Sequence, residues 1–360
     1  MKLVIFGLTI SSSWGNGHAT LWRGLCRALA GRGYQIVFFE KDASYYAAHR
    51  DFSGLPGVAL MLYPSWEEVR PLAEKELADA DLGMVTSYCP DGIAASELLF
   101  SSPVRLRIFY DLDTPVTLQN IRAGLPVAYI GPRGLRDFDL VFSYTGGRAL
   151  EEVRSRLGAQ RVAPLYGSVD PAAHRPEAGV EAYRADLSYL GTYAEERQER
   201  LVRLFIEPSR RLPDRRFVLG GSQYPEHFPW TKSIFYVKHV PPPAHPAFYS
   251  SSALTLNVTR SVMAEMGYCP SGRLFEAAAC GTPILSDDWE GLDSFFEPGR
   301  EILIARTTAE AIDAIETPRE KLARMAKAAR ERILSGHTAA HRADDFEKAL
   351  EAASRPLINT

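Results

Sequence analysis

The sequence predicts an α/β protein built from two Rossmann-like, doubly wound parallel-sheet domains that face each other across a cleft. Its 360 residues are too many for one ordinary core and suit two domains. Short apolar runs alternate with helical patterns from the first residue onward, which is typical of parallel sheets covered by helices on both faces. The alternation lapses once, in a stretch rich in proline and glycine at 164–186, and then resumes.

Each half of the chain contributes its own series of predicted strands. The strands predicted for the first half are 3–8, 35–39, 58–62, 82–86, 105–110 and 140–143. A predicted helix over 19–32 separates the first two of them. The second series is 187–190, 216–219, 235–237, 254–258, 283–286 and 302–304. Two amphipathic helices, broken at Ser335-Gly336, follow over 318–354. We therefore predict domains at 1–170 and 171–335, with 336–360 crossing back onto the first domain.

Composition and charge exclude several classes of protein. With 46% hydrophobic and 24% charged residues, the chain is not disordered, collagenous or a coiled coil. A net charge of −3 gives no overall attraction to nucleic acid or to anionic membranes, so neither is an expected partner. No apolar run reaches the length of a membrane span, and the apolar start is too short for a signal peptide. Four scattered cysteines without a CxxC pair indicate reduced thiols and hence a cytoplasmic protein.

The loop after the first predicted strand has the composition of an active-site edge. Gly15 and Gly17 flank Asn16 and let the backbone turn sharply towards a ligand, and the start of the next helix offers amide donors. His18 is the titratable side chain of this loop, and a neutral imidazole can take the proton of an attacking hydroxyl. A histidine that only packs in the loop or caps its helix explains the pattern equally well. The glycine spacing is not the GxGxxG fingerprint of dinucleotide-binding domains.

A second candidate site is a short predicted helix that begins after Ser271, a good N-cap residue. Arg273 and Glu276 lie three residues apart, and hence on one face, in the first turns, where the helix dipole favours anions. The guanidinium and the amides of Gly272 and Arg273 suit a diphosphate, and the carboxylate suits two ribose hydroxyls. The segment therefore suits a nucleotide-sugar donor, although a plain Arg–Glu surface pair is the alternative.

Motifs of the second half resemble those of one enzyme family. They are Asp186-Leu-Ser-Tyr-Leu-Gly191-Thr, Leu256-Asn257-Val-Thr-Arg260, Ser271-x-Arg273-x-x-Glu276-Ala277 to Cys280-Gly281-x-Pro283, and Glu290-Gly291-Leu through Glu301-Ile. With them this half is similar to the C-terminal domain of glycosyltransferase group 1 enzymes of the GT-B architecture. It is more closely similar to the spore maturation protein CgeB-like family. The resemblance covers most of 186–305 and, more loosely, 1–50.

The resemblance implies a donor nucleotide held mainly by the C-terminal domain, with Glu276 on the ribose and the start of its helix on the phosphates. Arg273 and Arg260 would neutralise the leaving diphosphate, so that no metal and no other cofactor is expected. One position departs from the broader group: Tyr268 stands eight residues before Glu276, where the paired-glutamate motif has its first acid. The contact to the transferred sugar and the retaining or inverting outcome are therefore open.

Further candidates follow other predicted strands. Asp111 and Asp113 come directly after the strand at 105–110, and we interpret them as a catalytic base and an acceptor contact. A metal site and a simple turn are the alternatives for this pair. The remaining candidates for the donor site are a glycine pair, a histidine at a strand end and a tryptophan: Gly220, Gly221, His239 and Trp289.

Together these observations favour a cytoplasmic, metal-independent glycosyltransferase of the hexosyltransferase type. It would move a sugar from a nucleotide diphosphate sugar to an acceptor bound mainly by the first domain, with His18 or Asp111 taking the acceptor proton. Two alternatives use the same fold. One is a nucleotide-sugar epimerase or hydrolase, in which water attacks the donor, and the other is a non-catalytic nucleotide-sugar-binding protein. The sequence does not predict the acceptor, which can be a small molecule, a glycan or a protein.

Overall fold

The computed structural model describes residues 1–15 and 17–355 of the chain. Asn16, a candidate of the sequence analysis, lies outside these described residues. The chain divides into two compact units. Unit 1 comprises Met1–Tyr166 and Ala339–Thr360, and unit 2 comprises Gly167–Thr338.

The described part of unit 1 contains a seven-stranded sheet whose strands all run parallel. Its strands are β1 Lys2–Gly7, β2 Gln35–Lys41, β3 Val58–Tyr63, β4 Leu82–Thr86, β5 Leu106–Asp111, β6 Leu140–Ser143 and β7 Val162–Pro164. They are ordered β3-β2-β1-β4-β5-β6-β7. The direction of winding therefore reverses between β1 and β4, and this is where doubly wound sheets bind ligands.

The helices of unit 1 are α1 His18–Ala30, α2 Ser44–Ala47, α3 Trp66–Ala78, α4 Gly92–Ser101, α5 Thr114–Arg122 and α6 Arg148–Leu157, together with α14 Ala339–Ala353 from the end of the chain. Helix α14 packs against α1 and β6. Phe346 is fully buried in the core of unit 1, where its ring stacks on Phe142 with centroids 5.3 Å apart and meets Tyr34 edge to face. The end of the chain thus completes the core of unit 1.

Unit 2 repeats the architecture with a six-stranded parallel sheet in its described residues. The order is β10-β9-β8-β11-β12-β13, so the winding reverses between β8 and β11. The strands are β8 Leu187–Leu190, β9 Phe217–Gly220, β10 Ile234–Val237, β11 Thr255–Asn257, β12 Ile284–Ser286 and β13 Leu303–Ile304. The helices are α7 Gln198–Leu201, α8 Glu207–Arg211, α9 His245–Ser250, α10 Ser261–Met266, α11 Gly272–Ala279, α12 Thr308–Ile315 and α13 Arg319–Gly336, with a π-helical turn, Val202–Ile206, joining α7 to α8.

The prediction of two Rossmann-like, doubly wound parallel sheets is confirmed. The strands predicted at 82–86, 140–143 and 187–190 have those bounds in the structure, and the other predicted strands shift by up to two residues at an end. Strand β7 was not predicted, because three residues that end in Pro164 carry too short an apolar pattern to be recognised. The last two helices are separated at His337 and Thr338 rather than at Ser335-Gly336. None of the described helices combines the length and the apolar composition that crossing a membrane requires.

Removal of the Phe346 ring tests the packing of α14. We expect Phe346→Ala to lower the free energy of unfolding of unit 1 by about 3–5 kcal/mol, because it leaves a cavity in a close-packed core. Urea denaturation measures this change. The matched control is Lys348→Ala on the exposed side of the same helix, for which we expect a change within about 0.5 kcal/mol. Equal stabilities for the two variants would contradict the packing described here.

Candidate functional site

Bare backbone lines the ends of two central strands of unit 2. Gly221 has φ +146°, and a Cβ at this position would lie 2.0 Å from the carbonyl oxygen of Gly191, so only glycine fits there. The amide of Gly191 donates to the carbonyl of Gly220 at 2.8 Å. The loops after β8 and β9 are thus in direct backbone contact. This close approach explains why glycine stands at the predicted positions Gly220 and Gly221.

Helix α11 begins beside these loops. Ser271 is at its N-cap in an extended conformation, as predicted, although its side chain makes no capping hydrogen bond to the described residues. Arg273 Nη1 donates to Asn257 Oδ1 at 3.1 Å, and the guanidinium lies 5.2 Å from the ring centroid of Tyr189. Tyr189 is on β8 and Asn257 ends β11. The cation of Arg273 is therefore held at the point where the winding of the sheet reverses.

A buried polar network fixes the partner of this arginine. Asn257 is 1% exposed, and its amide nitrogen donates to Thr259 Oγ1 and to Ser286 Oγ. Thr259 in turn donates its amide and its hydroxyl to the carboxylate of Asp287. Because the amide nitrogen of Asn257 is fully used, its oxygen has to face Arg273.

Glu276, one turn along α11, lies in a cluster with two histidines and a tyrosine, in which His174 and Tyr249 are buried and Glu276 and His245 are partly exposed. Its Oε1 is 3.9 Å from His174 Nε2, and its Oε2 is 3.9 Å from His245 Nδ1. The hydroxyl of Tyr249 donates to Oε2 at 3.4 Å. His174 precedes β8, His245 is the first residue of α9 and Tyr249 is one turn further along α9. Two separate segments, the one before β8 and α9, therefore surround one carboxylate.

Charge and burial act in opposite directions on this cluster. Burial raises the pKa of Glu276, but the charges of His174, His245 and Arg273, together with the Tyr249 hydroxyl, more than offset it, so the pKa lies below its ordinary value. Burial lowers the pKa of His245. The carboxylate is therefore ionised near neutral pH and can accept hydrogen bonds from hydroxyl groups of a ligand.

The segment before α11 packs on the loop that contains Trp289. Tyr268 has φ +48°, and its amide donates to the carbonyl of Glu290 at 2.7 Å. A Cβ on Gly291 would lie 2.5 Å from the Tyr268 ring, so glycine is required beneath it. Trp289 is only 6% exposed and packs beside Phe295, which makes it a core residue of this loop.

The other two predicted donor-site residues, Arg260 and His239, follow other strands of the unit 2 sheet. Arg260 is the N-cap of α10, and its guanidinium pairs with Glu196. His239 is exposed and follows the end of β10. The structure brings Ser271, Gly272, Arg273 and Glu276 together at the N-cap and in the first turns of α11. Arg260 follows β11 and His239 follows β10, and two strands separate β10 from β11 in the sheet.

In unit 1 a buried carboxylate organises the loop after β1. Glu40 is fully buried and accepts hydrogen bonds from the hydroxyls of Thr9 and Ser11 and from the amides of Ile10 and Ser11. Further along, Gly15 has φ +70°, and Gly17 is the N-cap of α1. The start of the loop is rigidly fixed, and both glycines beyond it are exposed.

His18, the first residue of α1, pairs with Asp113. Its Nε2 lies 3.7 Å from Asp113 Oδ2, and its ring is 5.9 Å from that of Tyr88. Tyr88 has φ +61° and follows β4, so these residues lie at the carboxyl ends of β1, β4 and β5, at the switch point of the sheet. Asp111 instead has a fully buried carboxylate, whose Oδ1 accepts the amide of Asp113 at 3.1 Å.

Complete burial raises the pKa of Asp111 to about 7, and the nearby charge of Asp113 acts in the same direction. Asp111 is therefore protonated over part of the neutral pH range, and it is the carboxylate of Asp113 that contacts the imidazole of His18.

Sequence reasoning did not single out His174, His245, Tyr249 or Asp287 as site residues. His174 lies in the predicted linker and His245 follows a run of prolines, and neither position shows a local pattern. Asn257 appeared only within a motif. Its place at the end of an apolar strand was the available signal, since polar residues at the carboxyl ends of parallel strands line ligand sites.

Two comparisons with known proteins bear on this site. Residues 197–348 match the family model described as "Glycosyl transferase-like". The matched region contains Arg273, Glu276, Asn257 and His245, but not His174. No curated protein matches the sequence.

Solved structures resemble the whole chain. Sucrose-phosphate synthase from Thermosynechococcus elongatus is 14% identical with a TM-score of 0.72, covering 98% of this chain and 100% of that chain. Anabaena HepE, solved with UDP and glucose, is 13% identical with a TM-score of 0.66 over 98% of this chain and 100% of its own. An α-glucosyltransferase solved with UDP-glucose and abasic DNA is 12% identical with a TM-score of 0.71 over 99% of this chain and 100% of its own. The fold is GT-B.

The buried carboxyl of Asp111 gives a prediction of pH dependence. The pKa is raised on folding, so between about pH 4 and pH 7 the folded state keeps a proton that the unfolded state has lost. The free energy of unfolding should therefore fall as the pH rises, by up to about 1.4 kcal/mol per pH unit.

The variant Asp111→Asn should lose this part of the slope, which urea denaturation at several pH values measures. Asp214→Asn, at an exposed turn, is the control and should keep the slope of the wild type. An unchanged slope in Asp111→Asn would show that the folded state does not hold the proton.

Proposed function

We propose that this protein is a glycosyltransferase that takes a sugar from a nucleotide diphosphate sugar bound on unit 2. The observation that carries the proposal is the pairing of Arg273 and Glu276 on α11. Arg273 supplies a fixed cation beside the glycine loop after β8, and Glu276 supplies a mostly buried, ionised carboxylate one turn further along the helix. Such a site suits a diphosphate and the two hydroxyls of a ribose.

The comparisons support this proposal without naming the substrate. The matched family is described as glycosyl transferase-like, and the structures of similar fold include proteins solved with UDP, with UDP and glucose, and with UDP-glucose. We therefore propose a hexosyl donor such as UDP-glucose. The CgeB-like branch remains our proposal for the subfamily. The free state of all four cysteines supports our proposal of a cytoplasmic location.

In the proposed reaction an acceptor hydroxyl attacks the anomeric carbon of the donor. The new bond forms between the acceptor oxygen and that carbon. The bond from the carbon to the β-phosphate oxygen breaks, and the nucleoside diphosphate leaves with the electron pair. The imidazole of His18 takes the acceptor proton, and the Asp113 carboxylate stabilises the imidazolium that forms.

We further propose that the transfer step needs no metal. Arg273 supplies a permanent positive charge for the leaving diphosphate, because a guanidinium stays protonated at all physiological pH values. Its hydrogen bond to Asn257 and its contact with the Tyr189 ring hold it before substrate arrives. A charge fixed in this way costs little reorganisation in the transition state. Arg260, which pairs with Glu196, is a secondary candidate for the same task.

Thermal unfolding with a panel of nucleotides and nucleotide sugars, with EDTA present, tests the donor site. At about one hundred times the Kd of a ligand, we expect the Tm of the wild type to rise by roughly 5–10 °C. Glu276→Gln should lose most of this rise, because it removes the ionised acceptor of the ribose hydroxyls. The matched control is Glu265→Gln on the exposed side of α10, which should respond as the wild type does. A rise in the Tm of Glu276→Gln equal to that of the wild type would show that this carboxylate does not bind the ribose.

The role of His18 is tested by kinetics rather than by binding. We expect His18→Ala to lower kcat by about 100-fold or more, with the KM of the donor unchanged, because it removes the base but none of the donor contacts. Release of nucleoside diphosphate in the presence of an acceptor panel measures turnover. His341→Ala, a histidine change elsewhere in unit 1, is the control. A His18→Ala enzyme with normal kcat would assign the proton transfer to another group.

A further inference from the structure

The buried cluster around Glu276 has a feature that ribose binding does not explain. In the part of the chain that the structure describes, neither ring nitrogen of His174 has a hydrogen-bond partner, and the same holds for Nδ1 of His245. His174 is only 7% exposed. Polar atoms buried without partners are costly, so a group of them in one place indicates a missing ligand.

The tautomer of His245 shows which of its ring nitrogens lacks a partner. Its Nε2 lies 3.2 Å from the carbonyl oxygen of Val240, and because a carbonyl can only accept, Nε2 carries the hydrogen. In the neutral ring Nδ1 is then an acceptor, and it lies 3.9 Å from Oε2 of Glu276, which is also an acceptor. Two acceptors facing each other repel, and a cation placed between them turns both contacts into bonds.

The donor set and its dimensions fit one class of cation. One ligand atom from each of His174, His245 and Glu276 can be chosen so that all three lie within 4.8 Å of one another. Zinc binds imidazole nitrogen and carboxylate oxygen at about 2.0–2.2 Å, which puts neighbouring ligands about 3.3 Å apart. The two N···O separations of 3.9 Å involve different oxygens of the carboxylate, and the set of three ligand atoms lies within 4.8 Å. Closing all three onto one ion therefore takes side-chain shifts of up to about 1.5 Å in total. Two imidazoles with one carboxylate favour zinc and its neighbours over magnesium or calcium, which prefer oxygen ligands.

The surroundings also resemble the outer shell of a metal site. Metal-bound histidines commonly donate their other N–H to a backbone carbonyl, as His245 does to Val240. The carboxylate of Glu276 is likewise held by the hydroxyl of Tyr249. The ligands come from the 170–174 turn, the start of α9 and the middle of α11, all within unit 2.

We propose that His174, His245 and Glu276 form a binding site for a divalent transition-metal ion of the zinc class. The ion engages the carboxylate of Glu276, so it competes with the ribose of a donor nucleotide for the same oxygens. This second statement rests on the proposed function, whereas the metal site itself does not. The metal is thus an inhibitor of donor binding and takes no part in the transfer step.

Titration calorimetry of the metal-free, full-length protein with Zn²⁺ alone tests the site. We expect one ion per chain for the wild type. Affinity should fall about 100-fold or more in His174→Gln and in His245→Gln, since each removes a ligand. The matched control is His227→Gln, an exposed histidine of unit 2, which should bind as the wild type does. No binding to the wild type, or an equal loss in the control, would overturn the proposal.

A second measurement does not depend on whether a variant folds. Co²⁺ added to the wild-type protein should give the intense visible absorption of a four-coordinate ion with nitrogen and oxygen ligands, and excess Zn²⁺ should remove it. Circular dichroism establishes that each glutamine variant is folded. If His174→Gln does not fold, the Zn²⁺ affinity of His245→Gln and the Co²⁺ spectrum of the wild type test the metal site. A spectrum of six-coordinate aqueous Co²⁺ would contradict the site.

Competition is measured with UDP as the probe, once with EDTA and once with saturating Zn²⁺. We expect Zn²⁺ to raise the Kd of UDP at least about tenfold in the wild type and to leave it unchanged in His174→Gln. UDP binding without any Zn²⁺ binding would overturn the metal site alone. Zn²⁺ binding without any UDP binding would refute the choice of donor and leave the metal site standing. Binding of both without mutual effect would overturn the competition.

Discussion

The hydrogen bond between Arg273 and Asn257 is the contact on which the arrangement of the donor-side residues depends. Asn257 cannot turn, because its amide nitrogen is committed to Thr259 and Ser286. The bond therefore ties the first turn of α11 to the end of β11, while burial of the apolar face of the helix, which includes Leu274, Phe275 and Ala278, sets its rotation about its axis. Glu276, three residues further on, is thereby directed into the cluster with His174 rather than towards solvent. One buried amide thus holds the cation, and the packed helix that carries the cation places the carboxylate one turn further on.

The fold was predictable because its determinants are local. Buried parallel strands appear as short apolar runs, and each run in this chain is bounded by glycine, proline or polar residues, so the strand at 82–86 was found with correct ends. Strand β7 was missed because Val162–Pro164 is stabilised by its pairing with β6 rather than by its own pattern. The same reasoning explains the break after α13. The bridge between Val169 and Thr338 determines where the chain leaves the helix, and that contact is invisible to local rules.

The candidate site residues also differ in whether a local pattern or a contact between distant segments brings them together. Ser271, Arg273 and Glu276 could be predicted together because one helical period brings them together, whatever the rest of the molecule does. The pairing of His18 with Asp113 needed two strand ends to meet, and the sequence analysis named both residues without naming the pair. His174 and His245 could not be predicted at all. Each lies in a proline-rich segment without a local pattern, and only the folding of unit 2 brings them to the same carboxylate.

The environment of Glu276 follows from two requirements that oppose each other. A carboxylate that is to accept ribose hydroxyls has to stay ionised, and in a buried place this requires positive charge or donors nearby. The charges of the two imidazoles and of Arg273, with the hydroxyl of Tyr249, meet this requirement, but the imidazoles, 3.9 Å away, are too distant to hydrogen-bond to the carboxylate. The same unsatisfied polarity that prepares the carboxylate for a sugar therefore makes it attractive to a metal ion. If Glu276 binds ribose as proposed, affinity for a competing cation is a physical consequence of placing that carboxylate among histidines.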